Sequence, residues 1–150
     1  KATGQNAELY TLTASGPMLL LTVPGRTEVR AAMPPGSLVK NVFTHPAGLF
    51  HFNRFPEAYK WMAVPIRLRN INVPELRTRV TRAVADGFAV DRGGTRPELA
   101  CAAVPTSDGA FCVCVSGGIS DFPARGDARL RLVMHRVLKQ FKAAGAAPGS

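Results

Sequence analysis

Residues 99–116 read LACAAVPTSDGAFCVCVS, two β-forming runs around the turn residues Thr106, Ser107, Asp108 and Gly109. Side chains alternate across a strand. Phe111, Val113 and Val115 therefore share one face of the return run, and Cys112, Cys114 and Ser116 share the other. A loop of Thr106 to Gly109 sets Pro105 against Ala110, Ala103 against Cys112, Cys101 against Cys114 and Leu99 against Ser116. Directly opposed residues point the same way. One face of the ribbon then presents Cys101, Ala103, Cys112, Cys114 and Ser116. The valine face is bulky and apolar, the composition of packed core. The cysteine face is small and weakly polar, and two readings of it stand. A helix lies on it and the thiols serve as small hydrophobes, or the short side chains leave a hollow with a few polar contacts, as small-ligand pockets are lined.

Upstream of the ribbon, Phe88 to Val90 reads as a strand, and a helix precedes it. Asn72 suits that helix's N-cap, Pro74 and Glu75 its first turn, and Gly87 its end. Leu76, Val80, Ala83 and Val84 recur along it at helical spacing. Residues 7–14 and 18–23 form a hairpin around Ser15, Gly16 and Pro17, with the second run expected to be the more buried strand. Residues 28–33 and 64–68 suggest further short strands, and residues 57–62 a helical turn. Pro46 opens a helix through Phe52. Downstream, Leu130, Val133, Met134, Val137, Leu138 and Phe141 form one apolar stripe on a final helix closed by Gly145. Tight turns join most strands, which predicts a largely antiparallel sheet with packed helices, an α+β architecture.

Residues 1–145 read as one domain and 146–150 as a loose tail. The start at Lys1 fits a piece excised from a longer chain. No apolar run approaches the ~20 residues of a membrane helix, and no secretory leader is evident. A cytoplasmic protein is expected, with no membrane partner. The net charge of +9 raises the question of nucleic acid. The arginines, however, fall between the apolar positions of the two long helices, where solvated faces lie, and no zinc finger or RNA-binding aromatic motif appears. Direct DNA binding by this segment is not expected.

Cys101, Cys112 and Cys114 make an odd count, suited to free thiols in a reducing compartment. Zinc sites favour two ligand pairs, and only Cys112 and Cys114 are closely spaced, so no metal or cofactor is expected. A nucleophilic cysteine needs a neighbouring base; no local motif supplies one, and an enzyme is not expected.

The ordered set of motifs resembles the C-terminal effector-binding domain of the IclR family of transcriptional regulators. Asp86 to Asp91 matches the family's Gly-aromatic-Ala-x-Asp motif, Leu99 to Ala103 its Arg-Cys-Ile-Ala-Ala strand, and Val113 to Gly117 its Ser-x-Ser-Gly strand. Asn70 to Leu76 resembles its Thr-x-Thr-Asp-Pro lead into a helix, Asn6 to Val23 its first hairpin, and His45 to Phe50 its Ser/Thr-Ala-x-Gly-Lys helix start. The resemblance implies a GAF-like fold of about six antiparallel strands with flanking helices. It implies small-molecule sensing, homodimers or homotetramers, and DNA contact only through an N-terminal winged helix-turn-helix domain outside this chain. It assigns effector contacts to Asp91, Cys101, Cys114 and Ser116, and backbone N–H contacts to Ala47 and Gly48. Asp91 also reads as an ordinary turn residue before Gly93 and Gly94.

The chain departs from the family in ways that bear on the effector. Cys114 stands for the first serine, Leu49 for the lysine and Gly94 for an acidic residue, and Pro46 brings no N–H to the helix start. An organic acid and an aromatic metabolite both remain as effector classes. His45 either contributes positive charge or caps the helix. Two other functions fit the same fold: a thiol enzyme, and a dimerisation domain whose pocket is filled by side chains.

Overall fold

A computed structural model describes residues 4–26, 33–61, 70–122 and 127–145. Within them β1 (Asn6–Thr13) and β2 (Gly16–Val23) form the first hairpin. Helices α1 (Pro46–Arg54), α2 (Ala58–Trp61) and α3 (Val73–Asp86) follow. Strands β3 (Ala89–Arg92), β4 (Leu99–Pro105) and β5 (Phe111–Gly118), a 3-10 turn and α4 (Asp127–Gly145) complete the fold. The five described strands make one antiparallel sheet in the order β2-β1-β5-β4-β3, with β5 at its centre.

The two faces of the sheet are covered by different helices. Ala100, Ala102, Val104, Val113 and Val115 pack with Phe88, Phe122, Met134 and Leu138, so α4 closes the valine face. Cys101, Ala103, Cys112 and Cys114 join Tyr10, Leu12, Phe50, Phe52, Leu76 and Val80, so α1 and α3 close the cysteine face. The result is an α+β arrangement with helices on both sides of an antiparallel sheet.

The β4–β5 hairpin differs from its expected register by two residues. Cys101 faces Ser116, Ala103 faces Cys114 and Pro105 faces Cys112. Thr106 belongs to the ladder: its N–H donates to the Phe111 carbonyl at 2.9 Å, and its Oγ1 accepts from Phe111 N–H at 3.1 Å. The loop is thereby displaced to Ser107–Ala110. A two-residue shift leaves every side chain on its original face, so Cys101 and Ser116 still share one side.

Among the described strands β2 is the outermost beside β1, with residues 36–39 hydrogen-bonded to its start, and it is not the more buried partner. Leu20, Leu21 and Val23 are exposed at 38%, 50% and 47%, because β1 lies between β2 and the sheet centre. A bulge at Leu20 breaks the β1–β2 register. On α3 the buried stripe is Leu76, Val80 and Ala83, and Val84 faces outward. Asn72 caps α3 by accepting from Glu75 N–H at 3.1 Å, and Gly87 ends it in the left-handed conformation at φ 58°. The expected strands at 28–33 and 64–68 fall on residues outside those described, except Met33, which is not in a strand; the side chains of Val137 and Phe141 also lie outside them.

Candidate functional site

On β1 the alternation puts Asn6, Glu8, Tyr10 and Leu12 inward. Glu8 is therefore a carboxylate at a core position, 4% exposed, and β1 lays it directly against Cys114 of β5. Burial of a charge is costly unless hydrogen bonds replace water. Two hydroxyls supply them: Ser116 Oγ donates to Glu8 Oε1 at 2.6 Å, and Tyr10 OH donates to Oε2 at 2.8 Å. Burial, then the Glu8 charge, pushes the Tyr10 hydroxyl far above its ordinary range, so it stays a protonated donor.

His45 enters the same cluster from the N-cap of α1. Its Nδ1 accepts from Ala47 N–H at 3.2 Å, and its Nε2 lies 3.7 Å from Cys101 Sγ. A lone pair at Nδ1 puts the ring hydrogen on Nε2, aimed at the sulfur. Burial alone would lower the His45 pKa; the Cys101 sulfur, Glu8 and Asp91 outweigh it and raise it above the usual value. The Tyr10 ring meets the imidazole edge-on at 5.3 Å. A side chain at Gly48 would run into the Val42 carbonyl, so glycine is what lets α1 approach this closely.

Cys101 is the acceptor at the centre. Cys114 donates a hydrogen bond to its sulfur, and with the charge and hydrogen bond of His45 this overcomes burial and lowers the thiol to about 7. Cys114 moves the other way: burial, then its bond to Cys101, raises it well above the thiol range. Burial also raises Cys112.

Above the cluster lies a cavity of about 380 Å³. Glu8, Tyr10, His45, Cys101 and Ser116 are part of its wall, and Lys40, Asn41, Thr95 and Arg96 bring polar groups to its rim. Of the residues singled out from sequence, Cys101, Ser116 and His45 meet here. Cys114 is completely buried behind Cys101 and is absent from the wall. Ala47 and Gly48 are not on the wall, and their N–H groups are engaged within the helix start, Gly48 N–H donating to the His45 carbonyl at 2.9 Å. Asp91 lies off the wall as well. Its carboxylate accepts from Gly94 N–H at 3.1 Å and Thr95 N–H at 2.8 Å, folding the loop that carries Thr95 and Arg96 to the rim. A side chain on Gly94 would meet the Asp91 carboxylate and require it to shift from its present bonds.

Glu8 and Tyr10 were not foreseen, although a glutamate at the inward parity of a strand marks a carboxylate that needs partners. The imidazole beside Cys101 was also missed, because His45 is 56 residues away in sequence. A larger groove of about 540 Å³ involves Arg79, Arg82, Asp86 and Arg131, but Arg82, Asp86 and Arg131 are exposed, and among the described residues no buried polar side chain lines it.

The donor atoms of Glu8, His45 and Cys101 lie within 4.8 Å of one another, close enough to surround a metal ion. Their hydrogen bonds describe a different arrangement. Ala47 occupies the Nδ1 lone pair, which leaves hydrogen on the Nε2 facing the sulfur, and each Glu8 oxygen already accepts a hydroxyl. The cluster is satisfied as a hydrogen-bonded network.

No protein-family model and no curated protein sequence matches the chain. Solved structures do. An IclR-family transcriptional regulator from Rhodococcus sp. superimposes with a TM-score of 0.78 at 16% identity, over 95% of this chain and 57% of that one. HmgR of Pseudomonas aeruginosa gives 0.76 at 16% identity, over 99% and 63%. The effector domain of the regulator IclR from Acinetobacter sp. ADP1 gives 0.75 at 11% identity, over 94% and 87%. The chain has the fold of an IclR-type effector domain, and it spans about three fifths of the Rhodococcus and Pseudomonas chains.

Proposed function

We propose that this chain is the effector-sensing part of an IclR-type transcriptional regulator and that the cavity over Cys101 and Ser116 receives the effector. The observation that carries this is a polar floor under an open volume: Ser116 and Tyr10 hydroxyls on the Glu8 carboxylate, and the Cys101 sulfur beside His45, all at one cavity wall. A site with a few placed polar groups in an otherwise apolar hollow selects a small molecule by shape and hydrogen bonding. Lys40 at the rim favours an effector with an anionic end, an organic or aromatic acid, whose other end reaches the hydroxyl–carboxylate floor; Arg96 beside it is paired with Glu98 and would have to exchange that partner. Asp91 and Cys114 act behind the wall, Asp91 by holding the rim loop and Cys114 by supporting Cys101.

An effector can move a protein only by binding one arrangement better than another. Here the rim loop, the start of α1 and the sheet meet at one cavity, so occupancy biases how these elements sit. The bias reaches an N-terminal DNA-binding domain through the linker and through contacts between copies. Exposed Leu20, Leu21 and Val23 on β2 and nearby Leu38 offer apolar surface that self-association would cover. The protein is then a non-enzymatic regulator of the cytoplasm.

Isothermal titration of a panel of organic and aromatic acids tests the site. Wild-type protein is expected to bind a member of the panel, and Ser116→Leu, checked for folding by circular dichroism, to lose that binding. Equal binding by both proteins would move the site away from this wall.

A further inference from the structure

Cys101 and Cys114 lie on neighbouring strands as diagonal neighbours on one face, and effector binding does not account for that arrangement. Their surroundings differ. Cys101 lines the cavity and faces His45 Nε2 at 3.7 Å, whereas Cys114 is sealed behind it. The N–H of Ala47 holds Nδ1 as an acceptor, so the Nε2 hydrogen is already directed at the Cys101 sulfur. Reactive thiols sit beside a hydrogen-bond donor with a route to solutes; Cys101 is 2% exposed, and the cavity it lines is that route. The groups facing Cys101 are His45, Cys114 and the Glu8 carboxylate. The first two lower its pKa and the carboxylate opposes them, with a net result of about 7.

We propose that Cys101 is a peroxide-sensitive thiol and that Cys114 is its resolving partner. The Cys101 thiolate attacks one oxygen of a hydroperoxide. An S–O bond forms, the O–O bond breaks, and its electron pair leaves on the other oxygen, which takes from solvent the proton that the Cys101 thiol released and departs as water or an alcohol, with His45 Nε2–H as the hydrogen-bond donor beside the sulfur. Sulfur is oxidised and the peroxide reduced by two electrons. Cys114 then attacks the sulfenic sulfur. The S–S bond forms, the S–O bond breaks, and the departing hydroxide takes the Cys114 proton to leave as water. Cys101↔Ser116 and Ala103↔Cys114 are the opposed pairs, so the two cysteines are diagonal neighbours on one face, and the bridge closes with a shift of β4 against β5. A bridge between them would tie β4 to β5 across the cavity floor and remove the sulfur from the wall. This chemistry requires no effector and stands apart from the sensing proposal.

Hydrogen peroxide is the probe, with dimedone as a trap for sulfenic acid and peptide mass spectrometry as the readout. In wild type, Cys101 is expected to be oxidised first and to appear in a disulfide with Cys114. Cys114→Ser is expected to stop at a dimedone adduct on Cys101, and Cys101→Ser to leave Cys112 and Cys114 unreacted. His45→Ala is expected to slow the reaction about tenfold near neutral pH, the change that one pKa unit makes in thiolate fraction. Iodoacetamide mapping of the untreated wild type needs no variant and is expected to label Cys101 before the other two. Labelling of all three thiols at equal rates, or peroxide oxidation unaffected by Cys101→Ser, would overturn the proposal.

Discussion

The two faces of the β4–β5 ribbon come from one alternating sequence and are put to opposite uses. The face of Val104, Val113 and Val115 is closed by Met134, Leu138 and Phe122, hydrocarbon against hydrocarbon. The face of Cys101 and Ser116 meets a glutamate, a tyrosine hydroxyl and an imidazole, with open volume beside them. Among the described residues, the buried polar side chains Asn6, Glu8, His45, His51 and Ser116 all belong to the cysteine side. Small side chains on one parity of a strand therefore mark more than loose packing. They leave room for a polar network to form beneath a cavity, while the bulky parity anchors the sheet.

The largest effect expected is on the valine side. Met134 is 1% exposed, and Met134→Ala should cost about 2–5 kcal/mol in urea unfolding through the void it leaves. Cys101→Ala removes an atom that already borders open space and should cost less. Equal losses would erase the distinction between anchoring face and site face. Glu8→Gln comes next. It leaves one of the two hydroxyls without its carboxylate oxygen, for a loss of about 1–3 kcal/mol. The triple variant Glu8→Leu, Tyr10→Phe, Ser116→Ala removes donors and acceptor together and should recover part of what Glu8→Leu alone loses. A triple variant no more stable than Glu8→Leu would mean the network is not a closed unit.

Acid should also act on the cysteine side. His51 on α1 is fully buried, its ring close to the Thr13 and Ala14 carbonyls without a well-formed hydrogen bond, and burial lowers its pKa. The unfolded chain then binds the proton more readily, so stability falls as pH drops below the unfolded value of about 6.5. His45 has the opposite sign. Its raised pKa adds stability that is present below about 6.5 and is lost as pH rises through the folded value. In urea midpoints followed between about pH 5 and pH 8, wild type should lose more stability on the acid side, relative to pH 8, than His51→Phe. An unchanged acid slope in the variant would assign the loss elsewhere. The smallest effect is at the edge of the layer covering this face. Asn72→Ala removes the α3 cap and should cost about 1 kcal/mol.

The faces of the ribbon were legible because alternation is local and survives a two-residue change of register. The register was not. It turns on Thr106 joining the ladder through both its backbone and its side chain, a choice invisible to a count of loop residues. The cap at Asn72 and the stop at Gly87 were legible for the same local reason. Glu8 escaped notice because its meaning comes from Ser116, 108 residues later. His45 could be read as a cap or as a charge. The structure gives it the cap through Nδ1 and, through Nε2, contact with a thiol on a different element. Leu20 and Leu21 look like core by composition and are exposed because sheet order, which composition does not encode, leaves β2 outermost among the described strands.

Native mass spectrometry of the protein purified from its own cells addresses the central claim most directly. A small molecule retained by wild type and absent from a folded Ser116→Leu variant is the predicted result. Retention of the same mass by both would place the ligand outside the Cys101–Ser116 wall and contradict the account.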